Sequence, residues 1–399
     1  LVNRVSYALS PTRTHVQGWA NAHVSHEQGG HVPMSSANRI PTTHTGSLAR
    51  PAQLRDMLLA KSRGQPIAQQ DFDDACRHSV HAIVLRQCEI GLDIINDGEQ
   101  SKIGFAQYVH ERLNGFEGEP VRRILSLESR QFPNAPVGSV WQQACTGPLS
   151  WKSFAAVERD IKNLKDAVAS RPGQAAFMAS VSPGSFTNNN PNRHYPSRSE
   201  YLAAVCDVMR REYEAIATAG FTLQLDCPDL AQRSYNFPDM PVAEWRRIVA
   251  ENIEGLNAAT RNIPRERVRV HVCWGANEGP HNHDTELHEI IDLLLTLRVS
   301  AISVVGANRT GFEPNPCGGQ TFYGSSFVAD PYGRVLVQAP RDEELVDPDL
   351  HSRSSRRQPG PRSFIRSAPR IGRGATRRTT ERPRRGVPAF AGMGGTEII

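Results

Sequence analysis

The sequence predicts an α/β fold, a TIM-type (β/α)8 barrel that holds six of the eight units. Three observations predict it. Amphipathic helical stretches end at glycine and run into short β-rich stretches, this unit recurs along the chain, and polar or glycine-rich segments follow the strands at their C-terminal ends.

The first strand is RIPTTH, within the segment MSSANRIPTTHTGSLARP that opens at Met34. DACRHSVHAIVLRQCEIG then places Val80, Ile83, Val84 and Cys88 on one helical face, Gly91 stops the helix, and the strand LDIIND follows. AFMASV is the third strand. SEYLAAVCDVMRREYEAIATAG carries the stripe Leu202, Val205, Cys206, Met209 and Ile216, ends at Gly220 and leads into FTLQLD. EWRRIVAENIEGLNAAT, with Trp245, Ile248, Val249, Asn252 and Leu256, precedes VRVHVC, and LHEIIDLLLTLR precedes AISVV. A closed barrel takes eight strands, so the sixth is expected to end an incomplete one.

After Val305 the pattern changes. GGQTFYGSSFVADPYGRVLVQAP alternates apolar and polar residues about a Pro-Tyr-Gly turn, which predicts an antiparallel hairpin. Beyond Leu350 the chain is rich in Arg, Ser, Pro and Gly and is expected to be disordered. Residues 1–33 are polar and His-rich without hydrophobic period or the apolar core of a signal peptide, so a disordered extension is expected, with translation starting near Met34. The domain division is therefore 1–33, 34–304, 305–350 and 351–399.

Composition narrows the functional classes. An apolar share of 39% with 22% charged residues describes a soluble protein, and no stretch reaches the roughly 20 apolar residues of a spanning helix. The seven scattered cysteines suit a reducing compartment, and the expected location is cytoplasmic. The net charge of +5 is a local effect: residues 351–399 carry about +10, leaving the rest at about −5. That tail offers only two aromatic residues, Phe364 and Phe390, for base stacking and no amphipathic period, so nucleic acid is not an expected partner, nor is a membrane. Oligomeric state leaves no trace in the sequence.

The stretch HVCWGANEGPHNHD, residues 271–284, concentrates the chemistry. His271 and Cys273 stand two apart at the end of a strand, so both point to one side of the sheet, at the barrel end that carries active sites. Imidazole and thiolate are donors that zinc prefers, yet two ligands do not make a site. Read alone, such a pair more often belongs to the core, while His281 and His283 suit a nearby loop. TTHTGSL, NDGEQSKIGF, SPG and LDCPDL follow the other strands at the same end. Ser47 there suits a turn, and Glu99 and Asp226 suit helix caps.

Taken together, these motifs resemble the cobalamin-independent methionine synthase family, in particular the short single-barrel relatives of its catalytic domain, from about Arg39 to Val304. The resemblance implies a zinc-dependent methyltransferase that passes a methyl group from 5-methyltetrahydrofolate to the sulfur of homocysteine or a related thiol. It implies that His271 and Cys273 are the paired zinc ligands, that Ser47 and Glu99 hold the amino-acid part of the thiol, and that Asp226 meets its ammonium. Two departures stand out. AISVVGAN carries Val305 where relatives have a glutamate that binds zinc, and the cysteine of the eighth unit has no counterpart, since Cys317 lies in a different context. Residues 305–350 resemble instead the C-terminal part of a nitrilase-superfamily amidohydrolase, without the catalytic Glu, Lys and Cys of that family. A junction near Val304 between two unrelated segments, and a product impaired in turnover, are therefore expected; hydrolysis of amides is the remote alternative.

Overall fold

The computed structural model describes residues 41–133, 141–275 and 281–305, and beyond them the backbone of five short strands. All six anticipated strands form. They are β1 (Thr42–His44), β2 (Ile94–Asn96), β3 (Ala175–Val181), β4 (Thr222–Asp226), β5 (Val268–Val272) and β6 (Ala301–Val304). Each pairs in parallel with its sequence neighbour, giving the order β6-β5-β4-β3-β2-β1. On the far side of β1, Thr396–Ile398 pairs antiparallel. Among the described residues, β5 is the one strand that pairs with β6.

The sheet is curled. Gln224 on β4 donates from Nε2 to the carbonyl of Thr45, just past β1, at 2.6 Å, although β2 and β3 lie between them in the sheet. Only curvature brings such positions across an interior. Gln224 Oε1 in turn accepts from Arg269 Nε at 2.8 Å, and the Arg269 guanidinium lies 3.6 Å from the centre of the Phe177 ring. This inner layer is polar as well as apolar, and the architecture is an open (β/α) barrel of six units.

Helices cover the outer face. Arg198–Thr218 starts at Ser197, whose Oγ accepts from Glu200 N at 3.1 Å, and Gly220, at φ +99°, takes the left-handed turn into β4. Its predicted stripe of Leu202, Val205, Cys206, Met209 and Ile216 is buried throughout. In Val242–Ala259, Trp245, Val249, Asn252 and Leu256 are buried and Ile248 half-buried. In Gln69–Glu89 the buried face is Phe72, Cys76, Ser79, Val80, Val84 and Gln87, so Ile83 and Cys88 flank the stripe instead of belonging to it. Each fully buried large apolar side chain contributes roughly 1.5–3 kcal/mol, which anchors the strands whose ends carry the site.

The stretch LHEIIDLLLTLR does not form the long helix its apolar run suggests. A 3-10 turn at Leu287–Glu289 precedes a short helix, Ile291–Leu294, with Ile290 between them at φ −130°. Glu286 and Glu289 exchange side-chain bonds with each other's backbone, which closes a tight turn before Ile290. The excursion between β2 and β3 was also not foreseen. It contains the helix Phe105–Arg112 and two small ribbons, Leu113–Asn114 with Ser150–Trp151 and Val121–Arg122 with Trp141–Gln142.

The predicted hairpin is present as the antiparallel pair Phe327–Ala329 and Val335–Gln338, a two-stranded sheet separate from β6. A second ribbon joins Phe312–Pro314 to Gln320–Phe322. The expectations for residues 1–33 and 351–399 fall outside the described residues, apart from the strand Thr396–Ile398.

Candidate metal centre

Register assembles the centre. Asp226 ends β4 opposite His271 on β5, and Ser303 on β6 is opposite His271 on the other side. Cys273 lies two residues beyond His271 and so shares its side of the strand. The donor atoms of Asp226, His271 and Cys273 all lie within 4.8 Å of one another. His271 Nε2 is 4.0 Å from Asp226 Oδ1, and Nδ1 is 3.2 Å from Ser303 Oγ. The Ser303 hydroxyl thereby orients the imidazole so that Nε2 faces Asp226. His271 is buried while Asp226 and Cys273 are partly exposed, so the group opens toward the strand-end mouth.

Imidazole, thiolate and carboxylate are donor types that zinc accepts, and three of them match the number in a catalytic site. The residues present therefore fit a zinc ion. The family resemblance pairs His271 with Cys273 and gives Asp226 to the substrate; the structure brings all three within 4.8 Å of one another. The backbone beneath is tied down as well, since Cys227 N donates to His271 O at 2.8 Å and Ser182 N to Asp226 O at 3.1 Å.

Glu99 approaches from β2. It is the one non-glycine residue with positive φ, +53°, among the described residues, in a turn where Asn96 Oδ1 accepts from Gly98 N at 2.9 Å and Asp97 Oδ1 from Glu99 N at 3.0 Å. Its carboxylate lies on the backbone of Gly46, where a Cβ would stand 2.6 Å from Glu99 Oε1. A side chain at position 46 would have to displace that carboxylate. Burial pushes the Glu99 carboxyl up to about 7; Lys102 opposes the rise, while Asp226 and Asp97 add to it. Lys102 is itself buried, donates to Ala179 O at 3.1 Å and lies 3.9 Å from Asp97 Oδ2. Burial alone would lower its pKa, but Asp97, Asp160 and Glu99 more than offset that, so it remains a cation beneath Glu99.

Ser47 is exposed on the same loop as Gly46, with its Oγ 3.4 Å from Arg50 Nη1, and Arg50 Nη2 donates to Glu99 O at 2.7 Å. His281 Nδ1 is 3.1 Å from Asp284 Oδ2 within its own loop, and His283 Nε2 is 2.6 Å from Gln131 Oε1 at the end of the helix Leu127–Gln131. Val305 N donates to Val272 O at 3.1 Å, which continues the ladder and sets Val305 on the Ser303 side of β6. Cys317 lies outside the described residues. Ser303 and Lys102 were missed from sequence; the alternation that singled out His271 and Cys273 would have found Ser303, whereas nothing local marks Lys102 as buried.

An open parallel (β/α) barrel with imidazole, thiol and carboxylate converging at its strand ends is a barrel domain with a group that could hold a metal ion. Residues 40–303 match the family described as cobalamin-independent synthase, catalytic domain, and the chain belongs to that family. It is similar to the 5-methyltetrahydropteroyltriglutamate–homocysteine methyltransferase of Thermotoga petrophila, 22% identical over 278 residues that make up 68% of this chain and 33% of the relative. The enzyme of the same name from Xylella fastidiosa is 22% identical over 311 residues, 77% of this chain and 37% of that one. The chain thus spans about a third of the length of these curated relatives. Among solved structures, a B12-independent methionine synthase from Shewanella in complex with selenomethionine aligns with a TM-score of 0.43 and 22% identity, over 59% of this chain and 62% of that one. Among the described residues, no helix is long and apolar enough to cross a membrane.

Proposed function

We propose that this chain carries the thiol-binding site of a methyltransferase that moves a methyl group from 5-methyltetrahydrofolate to homocysteine or a related thiol. The observation that carries the reading is the convergence of Asp226, His271 and Cys273 within 4.8 Å at the ends of β4 and β5. The names of the relatives specify both substrates. His271 and Cys273, with Asp226 close enough to act as a third donor, would hold zinc, which would lower the thiol pKa so that thiolate is available at neutral pH.

The chain's own residues do the rest. Ser303, through its contact with Nδ1, sets the aim of the His271 ring. Asp226 and Glu99 take the ammonium of an amino-acid thiol between two carboxylates, and Ser47 meets its polar end from the loop above. Lys102 offsets part of the burial that pushes the Glu99 carboxyl up to about 7. In the transfer, a sulfur–carbon bond forms from a sulfur lone pair while the methyl–nitrogen bond of the folate breaks. The nitrogen keeps that electron pair and takes a proton, and positioning at near contact supplies much of the rate.

A second reading concerns turnover. Val305 occupies the register position next to the centre where the resemblance calls for an acidic ligand, and a valine offers no donor. The resemblance also calls for a cysteine from an eighth unit, while the segment after Val304 resembles a nitrilase-superfamily fragment and holds Cys317 in a different sequence context. We therefore read this chain as an impaired or chimeric member whose zinc affinity and turnover fall well below those of an intact relative; amide hydrolysis has no supporting residue. Purified protein is compared with a hybrid in which the residues after Val304 are replaced by a family C-terminus carrying the glutamate and cysteine. Both are assayed with homocysteine, 5-methyltetrahydrofolate and zinc. Methionine from the hybrid alone supports both readings, equal turnover refutes impairment, and an inactive hybrid refutes methyl transfer.

A further inference from the structure

We propose that Asp229 is a positioning residue for the metal centre, acting through the backbone of Asp226. The inference rests on the reading of Asp226, His271 and Cys273 as one site and deepens it.

Asp229 is fully buried in the 3-10 turn Pro228–Leu230 that follows β4. Its Oδ1 accepts from Ser182 Oγ at 2.6 Å and Ser185 Oγ at 2.7 Å, and its Oδ2 accepts from Asn252 Nδ2 at 2.8 Å. The first two partners belong to the start of the helix Pro183–Asn189 after β3, the third to Val242–Ala259. One carboxylate thus joins three elements. The same two serines reach Asp226: Ser182 N donates to its carbonyl at 3.1 Å, and Ser185 Oγ lies 3.3 Å from it. From there Cys227 N continues to His271 O.

Gly184 shows how closely the junction is built. A Cβ there would lie 2.0 Å from Asp229 Oδ2 and 2.4 Å from Asn252 Nδ2, so only a bare backbone fits over the carboxylate. Burial pushes the Asp229 carboxyl up, and the bonds from Ser182, Ser185 and Asn252 oppose that rise. A buried carboxylate served by neutral donors is a costly choice for stability alone. What it supplies is two oxygens that gather three donors at fixed angles, one turn below the Asp226 side chain. A packed apolar residue would fill the space without holding Ser182 and Ser185, and Asp226 would lose its fixed distance to His271.

The test uses Asp229→Asn, with Glu212→Gln, in the buried pair behind β3, as the control for a general loss of stability. Cobalt(II) is titrated into each full-length protein, following thiolate-to-cobalt absorption. Long-range 1H–15N spectra of the His271 ring are recorded on the metal-free proteins. Asp229→Asn is expected to weaken cobalt binding about tenfold and to displace the His271 signals, while Glu212→Gln does neither. Ser185→Ala, which removes one of the three bonds, should shift both readouts in the same direction and by less, and it stands in if Asp229→Asn fails to fold. Unchanged His271 signals in the Asp229 and Ser185 variants, or equal displacement in Glu212→Gln, overturns the proposal. Absence of cobalt–thiolate absorption in the unmodified protein overturns the metal reading instead and leaves the His271 signals to decide the role of Asp229.

Discussion

Asp226 and His271 face each other across adjacent parallel strands, with Oδ1 of the first 4.0 Å from Nε2 of the second. Two residues 45 positions apart in the sequence thereby form one side of a site whose other side is Cys273. A carboxylate so close to an imidazole and a thiol can serve an ion or a cationic substrate, and substitutions separate these uses.

Removing a ligand tests the centre directly. His271→Ala and Cys273→Ala are each expected to lower zinc affinity by more than about a hundredfold, because each leaves too few donors to displace water from the ion. Asp226→Asn should cost zinc about tenfold and should also weaken binding of an amino thiol relative to the same thiol without its amine. Competition titration with a chromophoric chelator and calorimetry with the two thiols measure these effects. Zinc binding unchanged in Cys273→Ala would place the metal elsewhere.

Glu99 predicts a pH dependence of stability. Its folded-state pKa, about 7, lies above the ordinary 4.5, so the protonated form is favoured by folding. Its contribution is therefore complete below about pH 4.5 and is lost as pH rises through about 7. Relative to Glu99→Gln, the unmodified protein should lose on the order of 2 kcal/mol between these limits. Urea unfolding of both proteins across this range measures the difference, and parallel curves would show that Glu99 ionises normally. An ammonium bound beside Glu99 should pull its pKa back down, so amino-thiol affinity should rise with pH over the same interval.

Val305→Glu should return an acidic donor to the rim. Val305 is half-buried against the core, so in zinc-free protein the charge is expected to cost about 1–3 kcal/mol. Zinc should reverse the loss and bind about tenfold more tightly than in the unmodified chain. Thermal unfolding with and without zinc checks both signs; a variant destabilised equally in the two conditions would show that position 305 does not face the metal.

The buried pair of Arg112 and Glu212 makes a prediction about the scaffold. Their side chains are 2% and 4% exposed, and Glu212 Oε1 also accepts from Ser180 Oγ at 2.8 Å. Glu212→Ala strands a guanidinium in the interior and should cost about 3–5 kcal/mol. Replacing both partners by apolar residues should recover much of that loss. Denaturant unfolding of the single and double variants gives the comparison.

Local periodicity by itself determined the six strands and most of the outer helical stripes. A strand's two-residue alternation and a helix's 3.6-residue repeat are properties of short stretches, legible wherever one face is apolar. That alternation also put His271 and Cys273 on one side, and the succession of motifs pointed to the family. Local signals misled where the chain met competing structure: LHEIIDLLLTLR is broken at Ile290 by the capped turn before it. Only the tertiary structure decided that Asp226 meets the His271–Cys273 pair, that Ser303 aims the imidazole, and that Glu99 takes a left-handed turn against Gly46 above a buried Lys102. Those relations depend on the register and curvature of strands far apart in sequence, and on burial, which changes what a carboxylate or an ammonium does without changing the residue that carries it.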